Sequence, residues 1–85
     1  MKKGVWFAYI VECADGTLYS GVTTDVVRRV KEHNGEGAKG AKYTRVRRPV
    51  VLRRKERFLS RSAASIREAA LKKLSRSDKL ALLKR

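Results

Sequence analysis

Asp15-Gly16 lies between two short runs rich in β-branched and aromatic residues, Val5–Cys13 and Leu18–Val22, and this turn limits the possible folds more than any other feature. Asp-Gly between two such runs is a strong hairpin signal, because glycine enters the left-handed turn region at no steric cost. The loop length then decides which side chains share a face. A two-residue Asp15-Gly16 loop pairs Tyr9 with Val22 and puts Tyr9 and Tyr19 on opposite faces. A three-residue loop, Ala14-Asp15-Gly16, pairs Val11 with Tyr19 and puts both phenols on one face, with Gly16 in the left-handed position of a bulge. A site shared by the two tyrosines therefore requires the three-residue loop or an equivalent bulge.

The rest of the chain supplies partners for this hairpin. Thr24 or Asp25 can cap a helix running to about His33 or Asn34, with Val26, Val27 and Val30 as its apolar stripe. Gly35, Gly37 and Gly40 break that helix and form a flexible loop through Lys42. Tyr43–Arg48 is an irregular basic stretch ended by Pro49. Val50–Phe58 is a third strand candidate whose block Arg53-Arg54-Lys55-Glu56-Arg57 suits an edge strand with a solvated end. Ser60 or Ser62 opens a second helix with Ala63, Ile66, Ala70 and Leu74 on one face. On that phase Glu68 lies well away from the core. Ser75-Arg76-Ser77-Asp78 resembles a capping box and opens a last short helix with Leu80 and Leu83 facing inward. The expected fold is α+β, a three-stranded antiparallel sheet flanked by helices in the order ββα-β-αα. At 85 residues the chain is expected to form one domain over 1–85 with a small core.

Charge narrows the partners. The net charge is +14, and a basic domain of this size usually meets a polyanion. Residues 1–44 hold seven Lys/Arg against five acids, whereas residues 45–85 hold fifteen against three. The electrostatic grip is therefore in the second half. Nucleic acid is favoured over a membrane surface, because no helix combines an aromatic-rich apolar face with a uniformly basic one. No run approaches the ~18 apolar residues of a membrane span. The single cysteine, Cys13, excludes an internal disulfide and a cysteine-based zinc site, which suits a reducing cytoplasm. There is no signal peptide pattern, since the short run Val5–Val11 leads into Glu12 and Asp15.

Several residues have both a plain structural reading and a chemical one. Tyr9 and Tyr19 suit a half-buried sheet, yet a phenol near an attacking water can accept or relay its proton. Arg29 can pair with Asp25 at i,i+4, yet its planar fork also matches two phosphate oxygens. His33 is four residues on and projects from the same helix face, either as a dipole-favoured helix end or as a phosphate-contacting or proton-shuttling group. Glu68 can cap with Ser65 or pair with Lys72. Tyr43, Arg45, Arg47 and Arg48 form an aromatic-plus-arginine patch suited to stacking a base and holding phosphates, and Lys72 can extend it. Arg28 points about a quarter turn from Arg29 and suits a backbone-phosphate contact.

The ordered set Phe7-Ala8-Tyr9, Tyr19-Ser20-Gly21, Thr23-Thr24-Asp25, Arg28-Arg29, His33, Lys42-Tyr43-Thr44, Arg48-Pro49 and Arg67-Glu68 resembles the GIY-YIG nuclease superfamily, in particular its small standalone bacterial proteins. The first motif reads Phe-Ala-Tyr where the family has Gly-Ile-Tyr. The third strand is more basic than relatives tend to be. The resemblance implies a metal-dependent endonuclease that hydrolyses phosphodiester bonds, with DNA a more natural substrate than RNA and with a task in DNA repair or processing. It further implies Tyr9 as general base, Tyr19 as an orienting or relay group, and Arg29 and His33 on the phosphate. Glu68 becomes the sole protein ligand of a divalent ion, magnesium or manganese. The rival expectation is a non-catalytic basic module that binds DNA or RNA with the same fold.

Overall fold

The computed structural model describes residues 5–35 and 42–84, the side chains of Lys42 and Tyr43 excepted. Strands β1 (Trp6–Glu12), β2 (Leu18–Thr23) and β3 (Val51–Phe58) form one antiparallel sheet in the order β2-β1-β3. Helix α1 (Val26–His33) follows β2, the single turn α2 (Lys42–Arg45) precedes β3, and α3 (Arg61–Lys73) and α4 (Arg76–Leu83) close the chain. The fold is α+β, as expected, with a turn of helix inside the stretch read as irregular. The glycine loop expected through Lys42 lies largely outside the described residues. No described helix is long and apolar enough to cross a membrane.

The hairpin takes the three-residue loop. Val11 pairs with Tyr19 and Tyr9 with Gly21. The turn closes through Cys13 N–H on the Thr17 carbonyl and Gly16 N–H on the Cys13 carbonyl, both at 2.9 Å. Gly16 sits at φ 85°, where a side chain would be strained. Asp15 steadies the turn by accepting from the Thr17 N–H and hydroxyl.

Central strand β1 is covered on both faces, which explains why it reads as a continuous apolar run. On one face Tyr9 and Val11 pack with Cys13, Val50, Tyr19, Val30 and Leu52, beneath α1. On the other, Ala8 and Ile10 meet Leu71, Leu18, Phe58, Leu74, Leu82 and Leu83, from β2, β3, α3 and α4. Asp25 caps α1, accepting from Arg28 N–H, and Ser60 and Ser75 cap α3 and α4.

Strand β3 runs its full length because it is an edge and because its charges are paired. Register shifts between Ile10 and Val11, and beyond the shift residues of β3 alternate between exposed and half-buried. Glu56 accepts from Arg54 at 2.7 Å and from Arg67 of α3 at 2.7 and 3.2 Å. The Arg67 hydrogen bond, opposed by burial and joined by Arg54, holds the Glu56 carboxyl below its usual range. Arg53 pairs with Glu12, and Lys55 lies over the Phe7 ring.

Three apolar assignments are corrected. On α3 the buried positions are Ala64 and Leu71, while Ile66 is 70% exposed and Ala70 is exposed. The helix carries apolar residues on two overlapping phases. Leu71 fits the gap against Ala8 and Ile10, and that fit decides the phase. Glu68 is four residues after Ala64 and three before Leu71, so it stands on the sheet-facing side. On α1, Val27 is exposed while Val26 is buried and Val30 packs on the core. On α4, Leu82 joins Leu83 against the core, with Leu80 half-buried. Ile66→Lys is therefore expected to change stability by no more than about 0.5 kcal/mol. Leu71→Ala is expected to cost roughly 2–5 kcal/mol. Urea unfolding of the two variants checks the phase.

Candidate active site

Tyr9 is 2% exposed, and its ring crosses over β2 at Gly21. A methyl group on Gly21 would lie 2.4 Å from the Tyr9 hydroxyl and 2.7 Å from Cζ, so the absence of a side chain there makes the crossing possible. The hydroxyl stops 2.9 Å from His33 Nε2. His33 Nδ1 lies 2.7 Å from the Thr44 hydroxyl, and both His33 and Thr44 are fully buried. A neutral imidazole offers one N–H and one lone pair, and each faces a hydroxyl that can donate or accept, so either tautomer satisfies the chain Tyr9–His33–Thr44. Tyr19, half-buried, meets the His33 ring edge-on at 5.4 Å.

Arg29 lies one turn before His33 on α1. Its Nη1 donates to Glu32 at 3.0 Å, and its guanidinium also hydrogen-bonds the Tyr9 hydroxyl. Glu32, not Asp25, is thus its acidic partner, since Asp25 is committed to the helix cap. Burial alone would lower the Arg29 pKa, but the hydrogen bonds to Glu32 and Tyr9 outweigh it. Burial raises the Tyr9 pKa. Arg29 pulls it back through hydrogen bond and charge, while Tyr19 and Glu68 push it up.

The effect of Glu68 on Tyr9 ties the two faces of the sheet together. Glu68 comes from α3, which packs against β1 and β2 on the face opposite Tyr9. The Tyr9 hydroxyl lies over Gly21 of the edge strand β2, and the Glu68 carboxylate is the smallest of the influences that shift its pKa. Its side chain is 23% exposed and pairs with Lys72 at 3.4 Å. Among the described residues no group of three or more His, Cys, Asp or Glu could cage a metal ion. A lone carboxylate fits a magnesium-type ion that keeps water and takes phosphate oxygens as its other ligands.

Burial, followed by the charge of Arg29, lowers the His33 pKa from 6.5 to about 4, with Arg48 adding to the shift and Glu32 opposing it. The ring is neutral at pH 7. Between pH 6.5 and about 4 the unfolded chain binds a proton that the folded chain refuses, so stability is intact above this window and falls as pH drops through it. The full loss is expected to be about 3 kcal/mol. His33 is the chain's one histidine. Urea titrations across the window should show a slope that His33→Gln flattens.

The basic candidates divide. Arg28 is exposed and pairs loosely with Glu32 at 3.6 Å. Arg47 pairs with Asp15 at 3.2 Å, and its carbonyl accepts from Ala14, tying the hairpin turn to the chain before β3. Arg48 donates to the His33 carbonyl at 2.8 Å and so closes the end of α1. Arg45 is exposed on α2, and Lys72 is exposed beside Glu68. The side chains of Lys42 and Tyr43 lie outside the described residues. Sequence reasoning passed over Glu32 and gave Thr44 no role beyond its place in the Lys42-Tyr43-Thr44 motif. Glu32 was accessible from its i,i+3 and i,i+4 spacing to Arg29 and Arg28. The motif marked Thr44 but not its partner, since only the folded chain brings it to His33.

Residues 5–81 match the family described as the GIY-YIG catalytic domain. The chain belongs to the GIY-YIG family. Among its GIY-YIG relatives, UPF0213 protein DP2720 of Desulfotalea psychrophila is 58% identical over 82 residues, covering 96% of this chain and 74% of that one. UPF0213 protein VNG_2274C of Halobacterium salinarum is 58% identical over 74 residues, covering 87% and 94%. The solution structure of UPF0213 protein BH0048 from Bacillus halodurans is similar at TM-score 0.59 and 45% identity, covering 94% of this chain and 83% of that one. Protein EF2693 of E. faecalis has the same TM-score at 42% identity, covering 96% and 88%. GIY-YIG membership implies a nuclease-type function and suggests a nucleic-acid substrate.

Proposed function

We infer that this protein is a metal-dependent endonuclease that hydrolyses phosphodiester bonds in DNA, with a role in DNA repair or processing in the cytoplasm. One observation carries the reading: Tyr9 is hydrogen-bonded to Arg29 and His33 while it feels the charge of Glu68 from the opposite face. A structural tyrosine needs neither a guanidinium nor a carboxylate within electrostatic reach.

Arg29 holds two phosphate oxygens through its planar fork and stabilises the charge that develops on them. Tyr9 takes a proton from the attacking water. It does so as its phenolate, whose charge Arg29 offsets, while neutral His33 orients the phenol oxygen by a hydrogen bond and does not take its proton. His33 acts from behind Tyr9, since the ring is fully buried and does not reach a phosphate itself. Thr44 fixes its orientation, and Tyr19 holds its other side. Glu68 would hold the divalent ion, magnesium or manganese, in place of its pairing with Lys72. When bound, the ion would supply charge neutralisation at the phosphate and the leaving group. Water forms the new P–O bond as the bridging P–O bond breaks. Arg28, Arg45, Arg48 and Lys72 contact flanking phosphates together with Lys42, Tyr43 and Arg47, and this grip should weaken with added salt.

The test is cleavage of labelled duplex, single-stranded, nicked and branched DNA with magnesium or manganese, wild type beside Glu68→Ala. Cutting that needs metal and is lost in the variant supports the nuclease. The Glu68–Lys72 ion pair favours the second reading, a non-catalytic binding module for DNA or RNA. Salt-sensitive binding with no cutting under either metal would establish that instead.

A further inference from the structure

Trp6 is the chain's one tryptophan, and nothing above gives it a chemical task. It stands at the start of β1 on the α3 side of the sheet, where the Arg61 guanidinium lies 5.4 Å from its ring centroid. Trp6 also lines a cleft of ≈370 Å³ whose other walls are Val22, Thr23, Thr24, Arg28, Arg29 and Glu32. The cleft runs from α1 around the end of β2 to Trp6. Arg29 belongs both to this wall and to the hydrogen-bond set of Tyr9. A phosphate on Arg29 therefore stands at the mouth of the cleft, and one sugar separates that phosphate from its base.

The cleft has the polarity of a nucleobase. An indole offers an apolar face for stacking, and the exposed Thr24 hydroxyl and the Arg28 guanidinium offer hydrogen bonds to a base edge, whereas the Thr23 hydroxyl is taken by the Asp25 backbone. Glu32 is compensated by Arg28 and Arg29, so its charge does not repel the phosphate. A paired base cannot enter, because its edge is taken by its partner and its faces by its neighbours.

We propose that this cleft is a nucleobase subsite in which an unpaired base stacks on Trp6 beside the scissile phosphate, so that the protein selects single-stranded or locally unpaired nucleic acid. The subsite's place beside a scissile bond rests on the nuclease reading, but the binding step itself needs neither metal nor cleavage.

The emission of Trp6 reads the site directly. The full chain is titrated, without metal, with a short single-stranded oligonucleotide and with the blunt duplex of the same sequence. The single strand is expected to quench Trp6 and to bind about tenfold more tightly than the duplex. Trp6→Ala lacks the fluorophore, so it and Trp6→Phe are read by the anisotropy of end-labelled oligonucleotides; Trp6→Ala is expected to remove about that factor from single-strand affinity and leave duplex affinity unchanged. Trp6→Phe keeps a ring and is expected to retain most of the preference, which covers the case in which the alanine variant does not fold. Equal quenching by both nucleic acids, or a preference unchanged in folded Trp6→Ala, overturns the subsite. Quenching by single strands with no cleavage under magnesium or manganese keeps the subsite and sinks the nuclease. Cleavage of duplex and single strand alike with no quenching does the reverse.

Discussion

Gly21→Ala is expected to destabilise the protein by about 1–3 kcal/mol, the usual cost of overpacking a filled site. It should also reduce cleavage at least as severely as removing the Tyr9 hydroxyl. The new methyl would sit 2.4 Å from the Tyr9 oxygen and 2.7 Å from Cζ. An exposed tyrosine would swing aside at little cost. Tyr9 cannot, because its ring is buried among Val11, Cys13 and Val50 and its hydroxyl is held by His33 and Arg29. A double-mutant cycle isolates the contact. Combining Gly21→Ala with Tyr9→Phe removes the nearest atom and should recover part of the lost stability in urea unfolding. Additive costs, or a Gly21→Ala protein as stable and active as wild type, would show that the phenol does not depend on this gap.

Arg29→Ala is expected to lower the cleavage rate by about 10²–10³-fold, the usual loss when a preorganised charge donor is removed from a phosphoryl or acyl site. Arg29→Lys should recover little, because an ammonium cannot replace a fork that serves phosphate, Tyr9 and Glu32 together. The substitution has a second signature independent of turnover. The charge of Arg29 is the second-largest cause of the low His33 pKa, so in Arg29→Ala that pKa should move up from about 4, which an NMR titration of the single histidine reads. A folded Arg29→Ala protein that cuts at the wild-type rate would remove this residue from the chemistry.

Much of the fold was legible in the sequence. The Asp15-Gly16 turn required one of two registers, and the need for Tyr9 and Tyr19 to share a face selected the one observed. The caps were visible to within two residues, Asp25 beside Thr24, Ser60 beside Ser62, and Ser75, since a short polar side chain satisfies the first orphan amides of a helix wherever the helix packs. The phase of α3 was not legible. Ala63, Ile66 and Ala70 and, against them, Ala64 and Leu71 are both credible stripes, and periodicity weighs residue types without knowing the shape they must fill. The misplaced phase moved Glu68 to the wrong side of its helix.

The candidate site divides along the same line. Residue types and order along the chain were enough to nominate Tyr9, Tyr19, Arg29, His33 and Glu68, because family motifs and helical spacing are one-dimensional properties. Contacts between distant segments were not. Thr44 behind His33, the passage of the phenol over Gly21, the reach of Glu68 from the far face and the cleft beside Trp6 all depend on how α1 and α3 sit on the sheet. Local hydrogen bonds and turn chemistry act within a few residues, so the sequence by itself determined the hairpin, the caps and the membership of the motif. Burial is shared among segments far apart in the chain, so only the tertiary structure decided which face of each helix turned inward, and with it the charges that Tyr9 meets.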